Sequence, residues 1–408
     1  MTYAETIAPF VDRCHYGDAR QVLDTLPEAS AHCVVTSPPY WLQRDYGVEG
    51  QLGLEATPDE YVAKLVEVFR EVRRVLRDDG TLWLNLGDSY GVANNRNSGA
   101  RQTKPATNTS RDDALAFNSG TYRSLPGLKP KDLIGVPWRV AFALQADGWW
   151  LRSDIIWNKP NPMPESVTDR PTRTHEHVFL LAKSARYFYD ADAVREAGVY
   201  SGPPKPGHRA EDGYPGQIPR AGNLGRPAET GRNLRDVWTI TTKPYAAAHF
   251  AVFPPEIPKR CIQAGTSERG ACAECGAPWE RVVERTTVRQ LADQAGTWTE
   301  RPGAAGYGKA AGSSQRADAR SGLSASNSHN AGTPQSPRIE TTGWRPTCDH
   351  DAPAVPCVVL DPFLGSGATA MVAQDLGRRW LGCELNPEYA PLIDKRTAQL
   401  GLFAAVRP

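Results

Sequence analysis

Ser37-Pro38-Pro39-Tyr40, with Trp41 next, follows the short apolar run Cys33-Val34-Val35. Proline fixes its φ and has no backbone N–H, so two in succession set a stiff, extended corner whose carbonyls still accept hydrogen bonds. A hydroxyl, a rigid pair of carbonyls and an aromatic face can together grip one planar amine and keep its lone pair from delocalising into the ring. Tyr40 supplies the stacking surface. An amine on a nucleobase reaches such a pocket only after its nucleotide has rotated out of the duplex.

A second constellation lies more than three hundred residues away. Val358-Val359-Leu360-Asp361-Pro362-Phe363-Leu364-Gly365-Ser366-Gly367-Ala368-Thr369 has the order strand, glycine turn, helix, and Glu384 closes the next strand nineteen positions after Gly365. The glycines allow close backbone approach to a ligand, and an acid at the end of the second strand can hold ribose hydroxyls. Gly365-x-Gly367-x-x-Ala370 also satisfies the loose dinucleotide fingerprint, which keeps an NAD-dependent dehydrogenase in view. Against that, Asp361 puts a carboxylate where two phosphates would dock. Negative charge is unfavourable beside phosphate and attractive beside a sulfonium, so S-adenosylmethionine is the expected ligand.

A third group is made of thiols. Cys272-x-x-Cys275-Gly276 is a tight turn that can place two thiolates on one metal, and Cys348-x-His350 completes a Cys₃His zinc set, with Cys357 as an alternative to His350. Pro356-Cys357 also has the dipeptide needed for attack on cytosine C5. It enters the glycine-turn strand directly, however, and reads as a buried strand cysteine. Cys14, Cys33, Cys261 and Cys383 are scattered and read as small buried hydrophobes.

The elements that must position these groups alternate. Tyr61, Leu65, Val68, Val72 and Leu76 recur at spacings of three and four, which predicts an amphipathic helix over 58–76, closed by Asp79-Gly80. Thr81–Leu86 reads as the following strand, Trp138–Gln145 as a helix, and Leu151–Trp157 and Val178–Ala182 as strands. Val358–Leu360, Ala368–Leu376 and Arg379–Cys383 repeat strand, helix, strand. Such an order predicts an α/β fold with a mainly parallel, doubly wound sheet.

The chain has 408 residues and a formal charge of +1, with 36 Gly and 34 Pro, so long loops are expected. Its apolar runs are shorter than the ~18 residues of a membrane span, and no secretory leader is visible, which predicts a cytoplasmic protein. Residues 95–131 carry seven basic side chains (Arg96, Arg101, Lys104, Arg111, Arg123, Lys129, Lys131) against Asp112 and Asp113. This excess suits contact with phosphates or an ordinary solvated surface.

With these residues in view, the chain resembles the DNA amino-methyltransferases that use S-adenosylmethionine to methylate cytosine N4 or adenine N6. The resemblance is to the permuted β-type order, in which the catalytic motif precedes the cofactor motif. It covers TSPPYW, LVEVFREVRRVLRDDGTLWLNLGDSY, LRSDIIWNKPNPMP, HFAVFPPEIPKRCIQAGT, VLDPFLGSGATAMVA and RRWLGCELNPEY. It implies a circularly permuted Rossmann-like fold and an enzyme of restriction-modification type that acts on double-stranded DNA by base flipping. A cognate restriction endonuclease is an implied partner, whereas oligomeric state is not encoded visibly.

By resemblance, Ser37, Pro38, Pro39 and Tyr40 form the target pocket. Asp361, Phe363, Gly365, Gly367 and Glu384 hold the cofactor, Phe253 and Pro254 belong to its methionine side, and Asp18 lies near its adenine, although capping of the next helix suits Asp18 equally. A serine before Pro-Pro-Tyr is associated in the family mainly with cytosine N4, which is therefore favoured over adenine N6. A non-catalytic zinc-containing DNA-binding protein is the alternative from another class.

The expected organisation is a catalytic half over 1–185 with the basic loop 91–131, a target-recognition region over 186–240 and a cofactor-side motif over 241–267. A zinc-knuckle insertion over 268–350, with a mobile loop 285–342, and an S-adenosylmethionine-binding half over 351–408 complete it.

Overall fold

The computed structural model describes residues 1–91, 128–196, 231–242, 253–286 and 338–398. Arg96, Arg101, Lys104, Arg111 and Arg123 of the basic loop, residues 197–230 of the expected recognition region, and most of the expected mobile loop lie outside the described residues.

The helices are α1 (Tyr3–Ile7), α2 (Ala19–Asp24), α3 (Pro58–Val75), α4 (Val136–Ala146), α5 (Glu256–Gly265), α6 (Ala368–Asp375) and α7 (Ala390–Ala398). One sheet contains β1 (Arg13–Tyr16), β2 (Ala31–Thr36), β3 (Leu76–Leu86), β4 (Trp150–Asn158), β5 (His175–Ala182), β6 (Val237–Thr239), β11 (Val358–Asp361) and β12 (Arg379–Glu384). The short strands β7 (Ala271–Cys272) and β10 (Ala354–Val355) pair with each other, as do β8 (Trp279–Thr286) and β9 (Arg338–Pro346).

The main sheet has the order β1-β12-β11-β2-β3-β5-β4-β6. Its first five strands run parallel as neighbours, and β5 runs antiparallel between β3 and β4. The mainly parallel expectation therefore holds, with one reversed strand. The permuted order holds too, because β11 and β12 insert between β1 and β2 rather than extending the sheet past β6.

Alternation along the strands buries both faces, as a doubly wound sheet requires. Val34, Leu82, Leu84, Leu360, Leu381 and Phe179 point to a cluster shared with α3 and α4. Cys33, Val35, Trp83, Val359, Trp380 and Val178 point to the opposite cluster, shared with α5 and α6.

Helix α3 forms as its periodicity predicts. Thr57 caps it by accepting from Glu60 N at 3.2 Å, Pro58 begins it, and Tyr61, Leu65, Val68, Phe69 and Val72 are buried. Its end differs from expectation, because Leu76 is already extended and begins β3, with Asp78, Asp79 and Gly80 inside the strand. Close packing explains the glycine: a Cβ at Gly80 would lie 2.5 Å from Leu76 Cδ1 and 2.9 Å from His32 O.

The chain divides into a larger unit (Met1–Arg195, Asn233–Arg281, Trp344–Pro408) and a smaller one (Glu196–Arg232, Val282–Gly343). The main sheet lies in the larger unit. In the smaller one, Glu196 and Arg232 form an isolated bridge and a 2.8 Å ion pair. Val237–Thr239, inside the region expected to read the target, is an edge strand of the main sheet. No helix among the described residues is long and apolar enough to cross a membrane.

Candidate active site

Strand β11 leads into α6 on one face of the sheet, and its neighbour β2 leads into α3 on the other. Where adjacent parallel strands send their connections to opposite faces, a crevice opens at their carboxyl ends. The expected site residues converge there. Asp18 follows β1, Glu384 ends β12, Asp361 ends β11, and Ser37–Tyr40 follow β2. The amino end of β5 and the carboxyl end of β4 reach the same edge because β5 is reversed.

One contact joins the two motifs directly. Thr36 Oγ1 donates to Asp361 Oδ1 at 2.7 Å, across 325 residues of sequence. Thr369 Oγ1 donates to Asp361 Oδ2 at 2.7 Å and Phe363 N to Oδ1 at 3.0 Å. Asp361 is 2% exposed, and burial lifts its carboxyl to about 6 despite these donors. The sequence suggested an open electrostatic partner for a sulfonium. The structure gives Asp361 three internal donors, so it braces the glycine turn against the proline corner.

Gly365 and Gly367 have φ of +55° and +84°, which favours glycine at both. Gly367 caps α6. A Cβ on Gly365 would meet nothing nearer than Phe363 O at 4.0 Å, so the turn presents an open cradle. Between the glycines, the Ser366 hydroxyl is buried without a hydrogen-bond partner among the described residues. Glu384 is aimed at this turn, accepting from Gly365 N at 2.7 Å and Asn386 N at 2.8 Å, and burial raises its carboxyl above the usual value. An open glycine cradle, an orphaned hydroxyl and an adjacent acid fit S-adenosylmethionine.

Asp18 is brought to the edge of this cradle, since Gly17 N donates to Glu384 O at 2.9 Å. Its side chain caps α2 through Arg20 N at 2.8 Å and pairs with the Arg20 guanidinium at 3.3 Å. Pro254 is buried just before α5, and its carbonyl accepts from Ile257 N, while Phe253 packs against the cluster that includes Leu364 and Ala370.

On the other side of Thr36, the proline corner is held from below: Tyr61 Oη donates to Pro39 O at 2.8 Å. The Tyr40 hydroxyl lies 2.7 Å from Glu176 Oε2 and 3.1 Å from Asn85 Oδ1, and accepts from Ser37 Oγ at 3.3 Å. Burial, and then the Glu176 carboxylate, push the Tyr40 phenol well above its usual value, so it stays protonated and donates. Asn85 Nδ2 also donates to Glu176 Oε2, at 3.2 Å, and Lys159 Nζ pairs with Glu176 Oε1. Gly87 makes room for the ring, since a Cβ there would lie 2.6 Å from Tyr40 Cε2. Trp41 does not join the pocket. It is 1% exposed and donates from Nε1 to Glu55 O.

Thr36, Thr369, Asn85, Gly87, Lys159 and Glu176 were not singled out from the sequence. Asn85 carried a signal, as a polar residue in the apolar strand Thr81–Leu86. The others depend on register between strands distant in sequence. Cys357, weighed as a nucleophile, is 1% exposed and burial pushes its thiol up to about 12, so it offers no thiolate at neutral pH. Elsewhere in the larger unit, ligand atoms of Cys272, Cys275, Cys348 and His350 lie within 4.8 Å of one another, whereas Cys357 is not part of that group.

Known proteins resemble this chain over most of its length. A family profile of N6/N4 type described as DNA methylase matches residues 31–273 and 357–395. Type II methyltransferase M.XycI of Xanthomonas campestris pv. cyanopsidis is 39% identical over 382 residues, covering 93% of this chain and 85% of that protein. Type II methyltransferase M.SmaI of Serratia marcescens is 38% identical over 380 residues, covering 93% and 88%. Among solved structures, the cytosine-N4-specific PvuII DNA methyltransferase aligns with a TM-score of 0.48 at 17% identity, over 94% of this chain and 85% of that one.

Proposed function

The chain belongs to the N6/N4 DNA methylase family, S-adenosylmethionine-dependent enzymes of restriction-modification type, and from that premise we propose that it methylates cytosine N4 in duplex DNA at a specific site. The NAD-dependent dehydrogenase is thereby set aside. The observation that carries the proposal is the Thr36–Asp361 hydrogen bond. It ties the glycine turn to the proline corner, which supports reading them as two walls of one crevice.

Bound in the cradle, S-adenosylmethionine supplies a methyl group on a positively charged sulfur. Gly365, Gly367, Phe363 and Glu384 hold it, with Asp361 behind the turn and Asp18, Phe253 and Pro254 at the periphery. Ser37 and the carbonyls of the proline corner orient the amine of an extruded base, and Tyr40 stacks on that base. Such positioning is the main contribution open to these residues, because a neutral amine attacking a cation disperses charge and needs no covalent enzyme intermediate. The Glu176–Asn85 pair fixes the Tyr40 hydroxyl, and hence the ring plane, before the base arrives.

The preference for cytosine rests on Ser37 at the first position of the corner. Nucleoside digestion and mass spectrometry of DNA from cells expressing the protein tests it: N4-methylcytosine is expected. N6-methyladenine without N4-methylcytosine assigns the enzyme to adenine instead. Long-read sequencing of the same DNA locates the site.

A further inference from the structure

We propose that Cys272, Cys275, Cys348 and His350 bind one zinc ion, and that this site is a brace at the amino-terminal ends of the two central strands. The brace is thus at the opposite end of β2 and β11 from the crevice. Two segments that flank residues 276–347 provide the donors, and all four donor atoms already lie within 4.8 Å of one another. Zinc–sulfur bonds of about 2.3 Å in a tetrahedron separate neighbouring sulfurs by about 3.8 Å, so small side-chain adjustments suffice.

The backbone around the ligands is built for a metal. Gly276, immediately after the second thiol, has φ +73°, and its N–H closes the turn onto Cys272 O at 2.8 Å.

The second segment is anchored on both sides of its ligands: Thr347 Oγ1 donates to Pro278 O at 2.7 Å, and Pro353 O accepts from Ala273 N at 3.0 Å. Three thiols and one imidazole cannot be satisfied by disulfides, and this soft donor set matches zinc rather than magnesium or calcium. His350 is exposed and converges on the thiols, which decides between it and the buried Cys357 as fourth ligand.

The knuckle is tied to the sheet through one histidine. His32 Nε2 donates to Gly276 O at 2.9 Å, and His32 Nδ1 accepts from Val358 N at 3.0 Å. His32 lies in β2, four residues before Thr36, and Val358 begins β11, three before Asp361. Arg77 Nη1 adds a bond to Cys275 O at 2.9 Å. The same two strands that meet at Thr36–Asp361 are therefore linked at their other ends by His32, whose second ring nitrogen holds the metal turn.

The test is metal analysis of the full chain purified without chelator, followed by cobalt replacement and thermal unfolding. One zinc per chain, intense thiolate-to-cobalt absorption and a melting temperature lowered by a strong chelator are expected. Zinc well under one per chain in folded, S-adenosylmethionine-binding protein overturns the site. Because Cys348→Ser could fail to fold, His350→Ala and Cys357→Ser supply the second arm. H350A should bind zinc more weakly in competition with a chelator, and C357S should hold it as wild type; the reverse pattern overturns the ligand assignment. The brace is read separately with His32→Phe, expected to keep one zinc but lose the chelator-dependent shift in melting temperature. An undiminished shift in that variant overturns the brace.

Discussion

Gly87→Ala tests whether the position of the Tyr40 ring, rather than its presence, governs methyl transfer. The backbone at Gly87 is not left-handed, so alanine adds a methyl group without backbone strain. That methyl would lie 2.6 Å from Tyr40 Cε2 and 2.9 Å from Cδ2. Carbon contacts are favourable at about 3.5–4.0 Å, so the ring must retreat by about 1 Å. It cannot simply swing, because Glu176 and Asn85 hold its hydroxyl and Tyr61 holds the preceding carbonyl. A 1 Å error in positioning lowers a rate by about 10²-fold, or about 2.7 kcal/mol of barrier. Overpacking should lower stability by about 1–3 kcal/mol as well. The assay is single-turnover methyl transfer to duplex DNA beside calorimetric titration with S-adenosylmethionine. The expected result is the rate loss with unchanged cofactor affinity. A wild-type rate would refute the reasoning, and a parallel loss of cofactor binding would show that the damage is general.

Three further substitutions probe the other walls. The Asp361 carboxyl lies above its unfolded value, so its ionisation opposes folding. That penalty is absent below about pH 4, grows as pH rises, and is complete above about pH 6. Asp361→Asn should therefore change the melting temperature more favourably at about pH 7.5 than at about pH 4, and a pH-independent change would contradict it. Glu384→Ala should weaken S-adenosylmethionine binding by about 10- to 100-fold in calorimetry, the value of one or two hydrogen bonds to a charged acceptor, and unaltered affinity would remove Glu384 from the cradle. Cys357→Ser should methylate DNA like wild type, and loss of transfer in a folded variant would restore the buried thiol to the chemistry.

What the sequence made legible was local. The three-and-four spacing from Tyr61 to Val72 gave α3, and the strand–turn–helix order around Gly365 gave the cradle because glycine leaves an unmistakable mark at positive φ. Convergence of the two motifs followed only from the resemblance. Its physical cause, the neighbouring register of Leu360 and Val34, cannot be seen in either segment alone. The same holds for the network behind Tyr40, since Glu176 reaches it only because β5 runs against β3. Asp79-Gly80 looked like a helix stop but lies in a strand, where packing against His32 rather than turn formation requires the glycine. Spacing left both His350 and Cys357 open, and the cluster of donor atoms within 4.8 Å includes His350 and not Cys357.

The placement of β11 and β12 also bears on how the protein is made. Emerging early from the ribosome, β2 is a fully buried strand with β3 on one side only, and its other neighbour is not synthesised until residues 358–361. Until then an apolar strand edge stands open, the kind of surface that invites adhesion between nascent chains. Methylating competence should accordingly arise late and all at once, when the glycine-turn strand slots into the middle of a waiting sheet.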